Sequence, residues 1–181
     1  LKQVADVTER AMLGELDFAE SLRARVAKLA DLPESAIKKA LERIRVTEGA
    51  ELLIAAVQRA GGRVGAVSGG FNQLLDPLAK RLNLDYHRAN QLEILNGKLT
   101  GRVTGAIIDR AAKEFALREW AEDFGISMDH TVAIGDGAND LSMIKAAGFG
   151  VAFNAKPIVR ENADYILEGG NLNALIEVLE R

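Results

Sequence analysis

The chain has 181 residues, of which 48% are hydrophobic and 27% charged, with a formal net charge of −3. This balance suits one domain with a buried core and a small appendage, and without a Lys/Arg block or a long apolar run we expect neither nucleic acid nor membrane as a partner. The chain has no cysteine and only two histidines, which excludes disulfides and thiol chemistry and argues against a histidine metal cluster.

The first 46 residues predict helices only, at 1–13, 18–29 and 32–44. Asp17 and Glu20 have the spacing of a capping box, and Pro33 suits the first turn of a helix. So short a segment seldom buries enough surface to be stable by itself. We therefore expect residues 1–46 to form a small helical cap that docks on the rest of the chain.

From residue 47 the pattern alternates helices with short apolar strands. A helix capped by Thr47 precedes a strand at 63–67, and Ser68-Gly69-Gly70 is predicted as a tight turn into a helix at 72–82. Asn96-Gly97, between strands at 91–95 and 98–103, predicts a β-hairpin. The remaining predicted helices are 109–124, 141–147 and 171–179, and the remaining strands are 131–134, 149–153 and 165–167. This alternation predicts an α/β core over residues 47–181, with a parallel sheet and helices on both faces.

The loop Gly135–Asp140 follows a buried strand and holds two carboxylates, Asp136 and Asp140, and the amide of Asn139. In an open α/β sheet, ligands bind beyond the carboxyl ends of the strands. Hard oxygen ligands suit Mg²⁺, which takes one or two carboxylates together with water and phosphate oxygens. The alternative is an ordinary turn, because Gly, Asn and Asp are common turn residues.

Ser68 ends a predicted strand before two glycines, where a hydroxyl and free N–H groups make a phosphate cradle. The alternative for Ser68 is a plain part of the strand-to-helix connection. Lys113 and Arg25 lie in predicted helices, where a single cation is usually a solvated surface residue. Their combination with the other motifs is therefore what gives them a function.

That combination, Ser68, then Lys113, then the G-D-G-A-N-D loop, resembles the haloacid dehalogenase superfamily of phosphotransferases, and most closely its phosphoserine phosphatase branch. Further stretches carry the likeness over the whole chain: 12–18, 21–25, 67–71, 96–101, 132–141 and 155–157. The resemblance implies a haloacid dehalogenase-like α/β core, Rossmann-like, whose small helical cap closes over the site. It also implies a cytoplasmic monomer or homodimer that uses Mg²⁺ to hydrolyse O-phosphoserine to serine and phosphate through a phosphoaspartate intermediate, as the last step of serine biosynthesis.

The resemblance also assigns roles to single residues. The catalytic roles fall on Ser68, Lys113, Asp136 and Asp140. Ser68 and Gly69 would hold phosphoryl oxygens, and Lys113 would neutralise developing charge. Asp136 would ligate Mg²⁺, while Asn139 and Asp140 would order the metal waters and Lys113.

In the cap, the resemblance implies that Arg25 pairs with the substrate carboxylate and that Met12 and Phe18 wall the pocket. The family's nucleophile motif, D-x-D-x-T after a strand, does not occur in the 181 residues. We therefore expect about 25 to 30 residues of strand, loop and helix before Leu1, and no activity from the 181 residues alone. Two alternatives stay open: an enzyme for another small phosphorylated acid or amine, and a binding module without a nucleophile.

Overall fold

The structure, a computed structural model, describes residues 17–180. The helices are α1 (Phe18–Ala27), α2 (Ser35–Leu41), α3 (Ala50–Arg59), α4 (Asn72–Leu82), α5 (Arg110–Phe124), α6 (Leu141–Ala146), α7 (Pro157–Arg160) and α8 (Ala174–Leu179). The strands are β1 (Gly65–Phe71), β2 (Tyr86–Leu95), β3 (Lys98–Thr104), β4 (Val132–Gly135), β5 (Phe149–Phe153) and β6 (Tyr165–Leu167), and short 3₁₀ turns lie at Met128–His130 and Ala138–Asp140. None of the described helices is long and apolar enough to cross a membrane.

Local signals in the sequence set several of these boundaries. The Asp17 carboxylate accepts the N–H of Glu20 at 2.8 Å and starts α1. Asp109 caps α5 in the same way, and Gly125, at φ 75°, ends it. Asn96-Gly97, with φ of 50° and 73°, forms the two-residue turn between β2 and β3. The predicted hairpin and the helix at 109–124 are thus confirmed.

The strands form two three-stranded sheets in the described part of the chain, in the orders β1-β2-β3 and β4-β5-β6. The pair β1–β2 and all of β4–β5–β6 are parallel, whereas the hairpin β2–β3 is antiparallel. The predicted single sheet is therefore divided between β1 and β4. Within the described residues, no ladder of hydrogen bonds joins β1 to β4. A cleft of about 500 Å³ lies there instead, lined by apolar side chains of both strands, among them Val67 and Ile134.

The predicted tight turn at Ser68-Gly69-Gly70 is wrong, because β1 continues to Phe71. Ser68 lies opposite Ala89 and Phe71 lies opposite Asn90, so the register breaks between these pairs and two glycines bulge from the ladder. Phe71 then packs against the hydrophobic cluster beneath α1. This packing returns the chain to the ladder, which is why the glycines form a bulge and not a turn.

Other boundaries also differ from the prediction. Helix α2 is shorter than the predicted 32–44, and Pro33 lies in an isolated bridge with Lys98 and not in the first turn of the helix. Helix α3 starts at Ala50 after Gly49, not at a Thr47 cap. Strand β2 begins at Tyr86 instead of residue 91, because its first half pairs with β1 and carries no apolar alternation. Helix α8 starts late because the N–H of Leu172 donates to Glu48 O at 2.8 Å, which holds the preceding segment in an extended pairing.

Within residues 17–180 the core consists of three apolar clusters, one of which joins the predicted cap to the hairpin. Leu22 and Val26 of α1 pack against Leu92 of β2 and Leu99 of β3, and all four are nearly inaccessible. Each such side chain stabilises the fold by about 1.5–3 kcal/mol. The cap helix is therefore anchored on the hairpin, and the domain boundary at residue 46 stays a prediction.

Candidate active site

One cleft of about 490 Å³ collects most of the residues that the sequence singled out. Its lining includes Phe18 and Arg25 of α1, Ser68 and Gly69 of β1, Lys113 of α5, and Asp136 and Asn139 of the loop after β4. Met12 lies outside the described residues. The apolar cleft between β1 and β4 is slightly larger, but it lacks this set of charged side chains. The smaller cleft beneath α1 is therefore the candidate active site.

Asp140 lies beneath this cleft and holds two parts of it in place. Its Oδ1 is 2.5 Å from Lys113 Nζ, and both side chains are only 7% exposed. Its Oδ2 accepts the N–H groups of Asp136 and Gly137, each at 3.1 Å. With both oxygens used by the protein, Asp140 fixes the loop and the ammonium group of Lys113.

The close fold of this loop requires a glycine at the end of β4. A Cβ atom on Gly135 would lie 2.5 Å from the Cβ of Asp140, a distance that side chains do not tolerate. Glycine therefore lets Asp140 turn back beneath the strand end. The same turn leaves the side chain of Asp136 exposed at the cleft.

The carboxyl group of Asp136 is electrostatically suited to a cation. Partial burial, and then the nearby Asp140 carboxylate, raise its pKa, while the charge of Lys113 opposes the rise. Asn139 Oδ1, in the same cleft, is buried and has no hydrogen-bond partner among the described residues. These two hard oxygens fit Mg²⁺, which needs few protein ligands. No group of three or more His, Cys, Asp or Glu side chains that could hold a metal ion gathers within residues 17–180.

The end of β1 supplies hydrogen-bond donors. Ser68 Oγ accepts the N–H of Gly70 at 2.9 Å, which orients the hydroxyl and leaves its proton available to another acceptor. A Cβ on Gly69 would lie 2.8 Å from Phe18 Cζ, so only glycine lets the α1 ring approach this loop. The contact joins the cap helix directly to the donors at the strand end.

Arg25 brings a positive charge to the cap side of the cleft. Its Nε donates to Ser21 O at 3.2 Å, and burial lowers the pKa of its guanidinium. The sequence reasoning missed Lys28, which lines the same cleft three residues later on the same helical face. It also gave no role to Lys156, whose N–H donates to Asp136 O at 2.9 Å and steadies the loop.

The family model of haloacid dehalogenase-like hydrolases matches residues 3–145. The chain belongs to this family. It is 51% identical over 177 residues to phosphoserine phosphatase SerB2 of Mycobacterium tuberculosis, covering 98% of this chain and 43% of that protein. It is 48% identical over 179 residues to a phosphoserine phosphatase of Streptococcus thermophilus, covering 99% of this chain and 83% of that protein.

The fold likeness is equally extensive. A solved structure described as a phospho-aspartyl intermediate analogue of phosphoserine phosphatase superimposes with a TM-score of 0.93 at 44% identity, covering 98% of this chain and 85% of that one. The predicted family and its phosphoserine phosphatase branch are thereby confirmed, as is the α/β fold class. The chain spans less than half the length of the mycobacterial relative.

Proposed function

We propose that this protein is a phosphoserine phosphatase that hydrolyses O-phosphoserine to serine and phosphate with Mg²⁺. One observation carries the proposal: a cation of the cap, Arg25, shares a cleft with Ser68, Lys113 and Asp136. A substrate that bears both a phosphate and a carboxylate matches this distribution of charge. The names of the relatives support the same activity.

In this proposal the phosphoryl group lies between β1 and α5. The Ser68 hydroxyl and the Gly69 N–H donate to its oxygens, and Lys113, held by Asp140, neutralises charge that grows on them. Asp136 and Asn139 would hold Mg²⁺, which supplies further positive charge beside the phosphate when bound.

We infer a two-step route through a phosphoaspartate, in line with the phospho-aspartyl description of the related structure. In the first step an aspartate oxygen bonds to phosphorus while the bond from phosphorus to the serine oxygen breaks, and that oxygen takes up a proton. Water then attacks phosphorus, which releases phosphate and restores the carboxylate. We assign the nucleophile to none of residues 17–180.

The cap recognises the serine part of the substrate. Arg25 is half-buried in the cleft wall, where its planar guanidinium suits a bidentate pair with a carboxylate. Phe18 covers the strand end beside Gly69 and limits the access of water.

The test is phosphate release by the full-length protein from O-phosphoserine and from phosphoethanolamine, which lacks the carboxylate, with Mg²⁺ or with EDTA. Arg25→Ala should raise KM for phosphoserine by about thirtyfold or more, the equivalent of about 2 kcal/mol, and leave phosphoethanolamine turnover unchanged. Arg23→Ala is the matched control, because Arg23 is exposed on the same helix and lies outside the cleft lining. Activity that persists in EDTA, or equal effects of Arg25→Ala on both substrates, would contradict the proposal.

The proposed activity also implies a metabolic role and a cellular compartment. We propose a role in the last step of serine biosynthesis, in the cytoplasm, with the small-molecule substrate as the partner and a monomer or homodimer as the working form. Serine auxotrophy after deletion of the protein, relieved by added serine, is the expected result.

A further inference from the structure

The side chain of Asn90, in the middle of β2, is buried with 1% exposure. Its Nδ2 donates to Gly69 O at 3.0 Å, and its Oδ1 accepts the N–H of Ile108 at 2.8 Å. Gly69 and Ile108 are 39 positions apart in the chain. One amide group therefore ties the bulge of β1 to the segment just before α5.

The break in the β1–β2 register explains why an amide is needed here. Between the pairs Ser68–Ala89 and Phe71–Asn90, Gly69 and Gly70 leave the ladder. A buried carbonyl without a hydrogen-bond partner costs about 1–3 kcal/mol. The amide of Asn90 donates to the carbonyl of Gly69 and accepts the N–H of Ile108, which lies outside the strands. No apolar side chain can form these two hydrogen bonds.

Both residues that bond to Asn90 are close in the chain to residues of the cleft. Gly69 is adjacent to Ser68, and both line the cleft. Ile108 precedes Asp109, whose carbonyl accepts the N–H of Lys113 at 3.1 Å in the first turn of α5. The amide thus lies between the donors at the end of β1 and the helix that carries the ammonium group.

We propose that Asn90 is a positioning residue, which fixes the separation between the Ser68–Gly69 donors and Lys113. This inference rests on the proposed phosphatase function, in which both sides of the cleft act on one phosphoryl group. In the transition state the equatorial oxygens of that group must contact the Ser68–Gly69 donors and the Lys113 ammonium group at the same time. A small shift of the donors or of Lys113 therefore weakens binding of the transition state more than binding of the substrate. Arg25, which binds the other end of the substrate, lies in the cap and is not a partner of Asn90.

Gln73 of α4 provides a matched control, because its side chain bonds to the backbone of the same strand, β2. Its Nε2 donates to Leu92 O at 2.8 Å, and its Oε1 accepts the Leu92 N–H at 3.2 Å. Like Asn90 it satisfies one backbone carbonyl and one N–H, but neither belongs to a residue of the cleft lining. Gln73→Glu and Asn90→Asp each replace one donor by an acceptor with little change in size.

The experiment measures kcat and KM for O-phosphoserine with Mg²⁺ in the full-length protein, together with the dissociation constant of inorganic phosphate. Asn90→Asp should lower kcat about 10- to 100-fold while KM changes by less than about threefold, and should weaken phosphate binding at least about fivefold. Gln73→Glu should leave all three values within about threefold of the wild type. Asn90→Ser, which introduces no buried charge, should show the same pattern and decides the matter where Asn90→Asp does not fold.

A folded Asn90→Ser protein with wild-type kcat and phosphate binding would overturn the positioning role. So would an equal loss of kcat in Gln73→Glu, because the effect would then come from β2 as a whole. If the wild type binds phosphate but does not hydrolyse phosphoserine, the proposed function fails. In that case, weakened phosphate binding confined to the Asn90 variants still supports the positioning role.

Discussion

The Nζ atom of Lys113 lies 2.5 Å from Oδ1 of Asp140, and each side chain is only 7% exposed. The other oxygen of Asp140 accepts two backbone N–H groups of the loop after β4. A buried ion pair of this kind is costly to break, because either charge left alone has no solvent to stabilise it. Stability and positioning of the ammonium group therefore depend on the same contact.

Asp140→Asn should lower the free energy of unfolding by about 3–5 kcal/mol, since it removes the carboxylate that pairs directly with the buried Lys113. Lys113→Met should cost less, because Asp140 keeps the N–H groups of Asp136 and Gly137. Urea unfolding monitored by circular dichroism measures both. Arg118→Gln, which breaks an exposed pair with Glu114 on the same helix, should cost less than about 0.5 kcal/mol. Equal losses for Asp140→Asn and Arg118→Gln would contradict the importance of the buried pair.

Asp136→Asn should separate metal binding from folding. The pKa of Asp136 is raised by burial and by Asp140, so the folded state holds its proton more tightly than the unfolded state does. The contribution of this group to stability therefore falls as pH rises from about 3.9, the unfolded value, through the folded pKa. In EDTA at pH 7, the variant should thus be at least as stable as the wild type.

With Mg²⁺ bound, the wild type should instead be more stable than Asp136→Asn. At 100 times its dissociation constant, a bound ion stabilises the wild type by about 2.7 kcal/mol, and Asp136→Asn should lose this gain. Thermal melts with Mg²⁺ and with EDTA make the comparison, with Asp123→Asn, an exposed acid of α5, as the control. A Tm of Asp136→Asn that rises with Mg²⁺ as much as that of the control would remove Asp136 from the metal site.

Gly69→Ala should disturb the contact between cap and core. The new Cβ would lie 2.8 Å from Phe18 Cζ, so the ring must shift away from the strand end. We expect kcat/KM for phosphoserine to fall at least about tenfold, since small displacements at a reacting centre have large effects. Adding Phe18→Leu should recover part of the loss, as a double-mutant cycle measures. Strict additivity of the two changes would show that the clash is not the cause.

Asp85 provides a pH-dependent contribution to stability away from the cleft. Partial burial acts to raise its pKa, but hydrogen bonds from Gln58 and Val64 and the charge of Arg63 outweigh it and lower the pKa. The stabilisation is therefore present above about pH 3.9, the unfolded value, and is lost as pH falls through the lower folded pKa. Asp85→Asn should cost about 1 kcal/mol at pH 7, and the difference from the wild type should shrink towards pH 3. Urea unfolding at several pH values tests this, and a difference that is constant with pH would contradict it.

The elements that sequence predicted best are those governed by contacts within a few residues. Asp17 and Asp109 cap their helices through side-chain bonds to an N–H three positions ahead. Asn96-Gly97 forms its turn because these residue types accept positive φ. The loop of Asp136 and Asp140 was found for a similar reason, since its position directly after a strand is written in the order of the residues.

The tertiary structure alone decided features that depend on distant partners. The bulge at Gly69 is held by Asn90, 21 residues away, and a lone Asn just before a predicted strand gives no periodic signal. The partners of Asp140 were equally hidden, because Lys113 lies 27 residues earlier and a helical lysine is usually solvated. The sequence by itself therefore determined the family, the α/β class and the set of chemical groups. Folding decided their separations and charges, because these arise where strand ends, helix starts and buried amides from distant parts of the chain meet.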